Sequence, residues 1–160
     1  MAHRKPRDLY HSALEVRIDG STYVIEQGPV LPRHDEDRGV VAVGPVGVRW
    51  AGRLALFRYE IRIWRGGHIP DVAEAVDSPR RLTTDPSVAR RVLEVARGIP
   101  TPVWGRDELR TGEMWNSNAV IAWILCTSGI DAQDIHLPQG GRAPGWSAGL
   151  VVAARNPSAL

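Results

Sequence analysis

Thr111-Gly-Glu-Met-Trp-Asn-Ser-Asn-Ala-Val-Ile-Ala-Trp-Ile-Leu-Cys-Thr-Ser-Gly129 joins a polar Asn/Ser turn to the one uninterrupted apolar run in the chain. Asn116, Ser117 and Asn118 are each good helix N-caps, because a short side-chain oxygen accepts from the free amides of a first helical turn. Gly129 supplies the matching C-terminal stop. Between them, Ala119 to Cys126 leave no polar face, which predicts a helix packed on all sides and too short to cross a bilayer. A buried helix that starts at Asn-Ser-Asn aims its dipole and free N–H groups at a polar cluster. That arrangement serves anion sites and activated nucleophiles as well as plain caps.

The rest of the chain sets the frame for this helix. Its 160 residues suit one ordinary domain with a real core. An apolar content of 43% beside a charged content of 24% is that of a folded, soluble protein. The formal charge is only +2, with acids and bases interspersed, so nucleic acid is not indicated as a partner. A single cysteine excludes an intrachain disulfide and a cysteine-based zinc site. No phosphate, dinucleotide or metal motif is found, so no cofactor and no metal are expected. The basic start, Met1 to Asp8, is not followed by an apolar segment, so a cytoplasmic location is expected. We read residues 1–9 as a disordered arm, 10–155 as a single domain and 156–160 as a tail.

Upstream of the helix the pattern is mostly β. Leu14, Val16 and Ile18 alternate with Glu15, Arg17 and Asp19 as in a half-buried strand. Gly20-Ser21 signals a hairpin, and Thr22 to Gln27 reads as the returning strand. Residues 28–38 form a Pro- and charge-rich loop in which Arg33, His34, Asp35, Glu36 and Asp37 read as solvated charge rather than metal ligands. Val40–Val43 and Val46–Trp50 are short β-like pieces on either side of Gly44-Pro45. Arg53 to Trp64 is the longest alternating run, with Phe57, Tyr59, Ile61 and Ile63 on one face and Arg58, Glu60 and Arg62 on the other. Ile69 to Val76 suggests a helical turn or two. Asp85 to Gly98 is the clearest amphipathic helix: Asp85 caps it, Pro86 opens it and Gly98 ends it. Trp146 to Ala154 is a closing strand or a short helix. Strands first and helices later argue for an α+β domain.

Two stretches taken together resemble the circularly permuted branch of the papain-like NlpC/P60 superfamily. They are His11 opening a strand, followed by Tyr23-Val-Ile-Glu26-Gln-Gly-Pro-Val30, and Met114-Trp-Asn-Ser-Asn-Ala-Val-Ile-Ala-Trp123 far downstream. The resemblance covers most of residues 10–130. It implies a papain-like fold in which an antiparallel sheet packs on a buried central helix. It also implies a histidine on an early strand, a polar or acidic partner on the next, and a cysteine at the helix N-terminus. This chain departs from that pattern, because Asn116-Ser117-Asn118 stands where the thiol belongs. Depending on register, Ser117 or Asn116 takes its place. Cys126 lies more than two turns along the helix, among apolar neighbours, where a thiol behaves as a small buried apolar group.

Two functions follow from the resemblance. In one, Ser117 is the nucleophile, His11 the general base and Glu26 the residue that orients the imidazole. Asn116, Asn118 and Trp115 then line the substrate site of an amide or ester hydrolase or acyltransferase. Its substrate is a small-molecule, peptide or lipid acyl group. In the other, the cleft is a catalytically inactive binding module, and exposed tryptophans meet a protein partner. The bland alternatives are that the Asn-Ser-Asn residues merely cap the helix, His11 ends a strand and Glu26 pairs with an arginine. Similarly, Trp115 either walls a cleft or staples the start of the helix. A Ser117 to His11 hydrogen bond favours the enzyme, whereas a serine folded back as a cap favours the binder.

Overall fold

The computed structural model describes residues 9–30, 39–69, 72–74, 79–135 and 141–155. The arm before Leu9, the charge cluster at 33–37 and the tail at 156–160 lie outside these residues, as does half of the stretch 69–76, where a helical turn is expected and Val72–Glu74 forms a 3₁₀ turn. The architecture is α+β: a four-stranded antiparallel sheet and three helices.

Strands β1 (Leu14–Ile18) and β2 (Ser21–Pro29) form the expected hairpin, pairing Leu14 with Ile25 and Ile18 with Ser21. Asp19 and Gly20 make its turn with positive φ at both positions, the backbone that a tight two-residue hairpin needs. β3 (Val40–Pro45) and β4 (Arg58–Arg65) complete the sheet in the order β1-β2-β4-β3. β3 runs through Gly44-Pro45 instead of breaking there. Proline is tolerated because β3 is an edge strand, and glycine is required because a Cβ at Gly44 would lie 2.3 Å from the Tyr59 ring. Val46–Trp50 does not become a strand, and β4 begins later than the alternation suggests. Arg49–Arg53 and Ala55–Phe57 are 3₁₀ turns instead.

Residues directly opposite in the ladder share a face, so Leu14, Ile25, Gln27, Tyr59, Ile61 and Ile63 line the inner side of the sheet. The outer side is not uniformly wet: Val24, Glu60 and Arg62 are buried there. Arg62 reconciles that burial with its charge by donating to Glu60, to Glu26 at 2.9 Å and to the Pro29 carbonyl at 2.6 Å.

Against the inner face lies α2 (Ser117–Thr127), the helix expected from the apolar run. Every residue from Ser117 to Leu125 is buried, as the lack of a polar face requires. Fully buried Ile124 and Leu125 each contribute about 1.5–3 kcal/mol from the apolar surface they remove from water. Gly129 closes the helix in the left-handed region, with its N–H on the Cys126 carbonyl and the Ile130 N–H on that of Leu125. Cys126 is half-buried against the core rather than fully enclosed.

α1 (Pro86–Arg97) begins as its sequence dictates: the Asp85 carboxylate accepts from the Ser87 N–H at 2.8 Å. It buries Val92, Leu93 and Ala96 and leaves Arg90, Arg91, Glu94 and Arg97 exposed. The final segment resolves to a helix, α3 (Trp146–Arg155), that packs closely on α2. Gly149 makes that approach feasible, since a Cβ there would sit 2.2 Å from the Ala119 carbonyl oxygen.

Candidate active site at the start of the buried helix

Three segments remote in sequence meet at the N-terminus of α2. Asn116 is the cap: its Oδ1 accepts from the Ala119 N–H at 3.2 Å. Ser117 is therefore the first helical residue. The amide of Asn118 donates to two carbonyls, Tyr10 at 2.9 Å and Pro144 at 3.0 Å, and the amide of Asn116 donates to the same Pro144 oxygen at 2.7 Å. The Tyr10 N–H in turn donates to the Arg142 carbonyl at 2.9 Å. Segments 9–11 and 142–145 are thus pinned to the helix start and to each other. Gly145 is seated so closely that a Cβ would meet the Asn116 side chain at 2.3 Å, and its N–H donates to the Glu113 carboxylate at 2.8 Å.

This clamp places the imidazole. His11 Nδ1 lies 2.7 Å from Ser117 Oγ, a hydrogen bond between residues 106 apart in sequence. Ser117 is buried whereas His11 is exposed. Of the first-turn amides, Ala119 N–H is taken by the cap and Val120 N–H by the Asn116 carbonyl. The N–H groups of Ser117 and Asn118 are the first two of the helix and have no acceptor among the described residues. They sit at the positive end of the α2 dipole, where a developing negative oxygen is stabilised. A cavity of ≈ 250 Å³ lined by Glu113, Arg142, Ala143 and Pro144 adjoins the clamp.

Compared with family models, curated proteins and solved structures, the chain matches none.

The remaining expected site residues are placed differently. Glu26 is not joined to His11. It points to the outer side of the sheet, and its carboxylate is held by Arg62, the bland alternative weighed above. Trp115 is 2% exposed and belongs to the core, so it braces the helix start and does not wall a cleft. Asn116 and Asn118 are at the site, but as its scaffold: cap and clamp.

Gln27 is the residue that motif reasoning overlooked. It is 4% exposed, on the inner face between Ile25 and Pro29, and both polar atoms of its amide lack a partner among the described residues. β1 starts opposite Ile25, so Gln27 lies beyond that start, at the end of the sheet from which His11 enters. Parity was the available signal: Tyr23, Ile25 and Gln27 point the same way, and a glutamine on the apolar side of a strand is out of pattern. No cluster of three or more histidine, cysteine or acidic residues suited to a metal occurs among the described residues.

Proposed function

We propose that this chain is an acyl-transfer hydrolase of papain-like design in which Ser117 replaces the thiol and His11 is its base. The observation that carries the proposal is the 2.7 Å contact between His11 Nδ1 and Ser117 Oγ at the N-terminus of a buried helix. A serine hydroxyl needs such a base more than a thiol does, because the helix dipole alone does not ionise it.

In this role the ring hydrogen sits on Nε2 and Nδ1 accepts. Ser117 Oγ attacks the carbonyl carbon of an ester or amide while its proton passes to His11 Nδ1. The negative oxygen that forms is met by the N–H groups of Ser117 and Asn118. The bond to the leaving alcohol or amine then breaks, and the imidazolium returns the proton to that group. Water, deprotonated by the same nitrogen, releases the acid and restores the serine. A pair replaces the three-residue arrangement expected from sequence, since Glu26 is engaged elsewhere.

The test is labelling with a fluorophosphonate probe. The parent protein is expected to be labelled, Ser117→Ala not at all, and His11→Ala at a rate lower by on the order of 10⁴ or more, as when members of a nucleophile-base unit act together. Equal labelling of parent and Ser117→Ala overturns the proposal.

A further inference from the structure

From Gly39 to Tyr59 the chain contains Arg49, Arg53 and Arg58 and no aspartate or glutamate. The middle of this stretch is the pair of 3₁₀ turns, and residues 48–57 carry five of the ten large apolar side chains that are exposed among the described residues. Trp50 is 73% exposed and Leu56 is 86% exposed, with Val48, Leu54 and Phe57 beside them. A globular domain normally scatters such residues singly, so a contiguous group marks a contact surface.

The chemistry of the group selects the occupant. Arg58 donates to the carbonyls of Gly52 and Arg53, which are neutral acceptors, and forms no ion pair with an acid among the described residues. Arg53 forms no ion pair with an acid among the described residues, whereas Arg49 is paired with Glu108. All three line a shallow cleft of ≈ 400 Å³ together with Val43, Gly44, Pro45 and Gly52. The exposed apolar side chains stand on or beside tight turns. Each turn also satisfies backbone groups internally: the N–H groups of Ala51, Leu54 and Phe57 donate to the carbonyls of Val48, Ala51 and Leu54. Less backbone therefore has to be stripped of water when the turns leave it. Exposed Trp, Leu and Phe beside Arg is the pattern that sits at the boundary of headgroups and acyl chains.

We propose that residues 46–58 dock this protein on the surface of an anionic phospholipid bilayer, with a headgroup phosphate in the arginine cleft and Trp50, Leu54, Leu56 and Phe57 in the acyl boundary. The attachment is peripheral: no helix among the described residues is long and apolar enough to cross a membrane. Val46 bridges Trp104, and Trp104 bridges Trp115, which ties the patch to the backbone just before Ser117. The proposal does not depend on acyl transfer, because binding is measured without turnover.

The experiment is flotation of the whole chain with vesicles of phosphatidylcholine alone or mixed with phosphatidylglycerol. Binding is expected on the mixed vesicles, stronger by about tenfold or more than on the neutral ones, and weakened by added salt. Arg53→Glu and the double substitution Leu56→Ser/Phe57→Ser are each expected to reduce it by about tenfold or more. Unchanged circular dichroism and melting confirm that these exposed substitutions leave the fold intact. Four outcomes overturn the proposal: no flotation of the parent on either vesicle; variants that float like the parent; complete release by soluble glycerophosphate, which makes the cleft a small-anion site; or a parent dimer that the same substitutions dissociate, which makes the face a self-interface.

Discussion

Ser117 and His11 draw their meaning from Asn118, which lies between the two chemically. Its amide holds the carbonyl of Tyr10, the neighbour of His11, while its backbone belongs to the helix turn that carries Ser117. One side chain therefore helps set the distance between Ser117 Oγ and the His11 ring, and in the proposed reaction an error of an ångström there is enough to lose about 10²-fold in rate. Gln27 is the other informative residue. A buried amide whose two polar atoms find no partner, as here among the described residues, costs stability on the order of 1–3 kcal/mol. Residues kept at such a cost are found where function outweighs packing. Gln27→Met is accordingly expected to raise the urea midpoint by an amount equivalent to about 1–3 kcal/mol while lowering the rate of fluorophosphonate labelling. A variant that is no more stable than the parent shows that the amide is satisfied in solution.

Between elements, two contacts decide how the site is held. The first is the α2–α3 crossing at Gly149. Gly149→Ala is expected to push the helices apart and cost about 1–3 kcal/mol, the usual penalty for overfilling a packed contact, as read by thermal melting. The second is the loop that leads into α2. Glu108 joins it to the first 3₁₀ turn by accepting two hydrogen bonds from Arg49 at 2.8 and 2.7 Å and one from the Val103 N–H at 2.9 Å. Burial pushes the Glu108 carboxyl up, but these hydrogen bonds and the Arg49 charge outweigh it and hold it below its ordinary value. A depressed carboxyl favours the folded state above the unfolded pKa of about 4.3. That contribution disappears as pH falls through the lower, folded value. Glu108→Gln is expected to reduce stability at neutral pH and to make the acid limb of a stability-pH profile shallower. A profile parallel to that of the parent contradicts this. Asp85 and Asp107 act in the same direction, lowered by hydrogen bonds from Ser87 and Thr111.

At the scale of the whole molecule, the sheet is covered on its inner face by α2 and is partly closed on the outer one around Arg62. That guanidinium is 5% exposed at its side chain and serves two carboxylates. Arg62→Leu leaves Glu26 and Glu60 beside each other without a counter-charge. The expected loss is about 3–5 kcal/mol by denaturant unfolding, more than the pair itself contributes, because the burden is the uncompensated buried charge. Tyr59 illustrates the same economy on the inner side. Burial pushes its phenol up, so it stays neutral and donates to the Pro102 carbonyl at 2.8 Å, with its ring edge-on to Trp104 at 5.8 Å.

Local chemistry was legible wherever a few neighbouring residues suffice to set the backbone. The Asp85-Pro86 start of α1 and the limits of α2 between Asn116 and Gly129 follow from caps, turns and periodicity, and so does the β1-β2 hairpin, although its turn is Asp19-Gly20, one residue before the Gly20-Ser21 expected. Those effects act within a turn or two of their own residues. Alternation misjudged residues 46–57, because an apolar alternating run satisfies a strand only if a partner strand is present, and the chain folds into 3₁₀ turns where none is. The family resemblance made Glu26 a candidate orienter, although only the register with β4 places that carboxylate against Arg62. The resemblance pointed to His11 and left Ser117 or Asn116 at the position of the missing thiol; the approach of His11 to Ser117 at 2.7 Å rests on the Asn118 clamp and the return of residues 142–145. Sequence by itself determined the β1-β2 hairpin, α1 and the fully buried α2, since these depend on local propensity and periodicity. The tertiary structure alone decided which polar groups meet, because hydrogen bonds reach only about 3 Å and the chain must close loops of a hundred residues to bring them there.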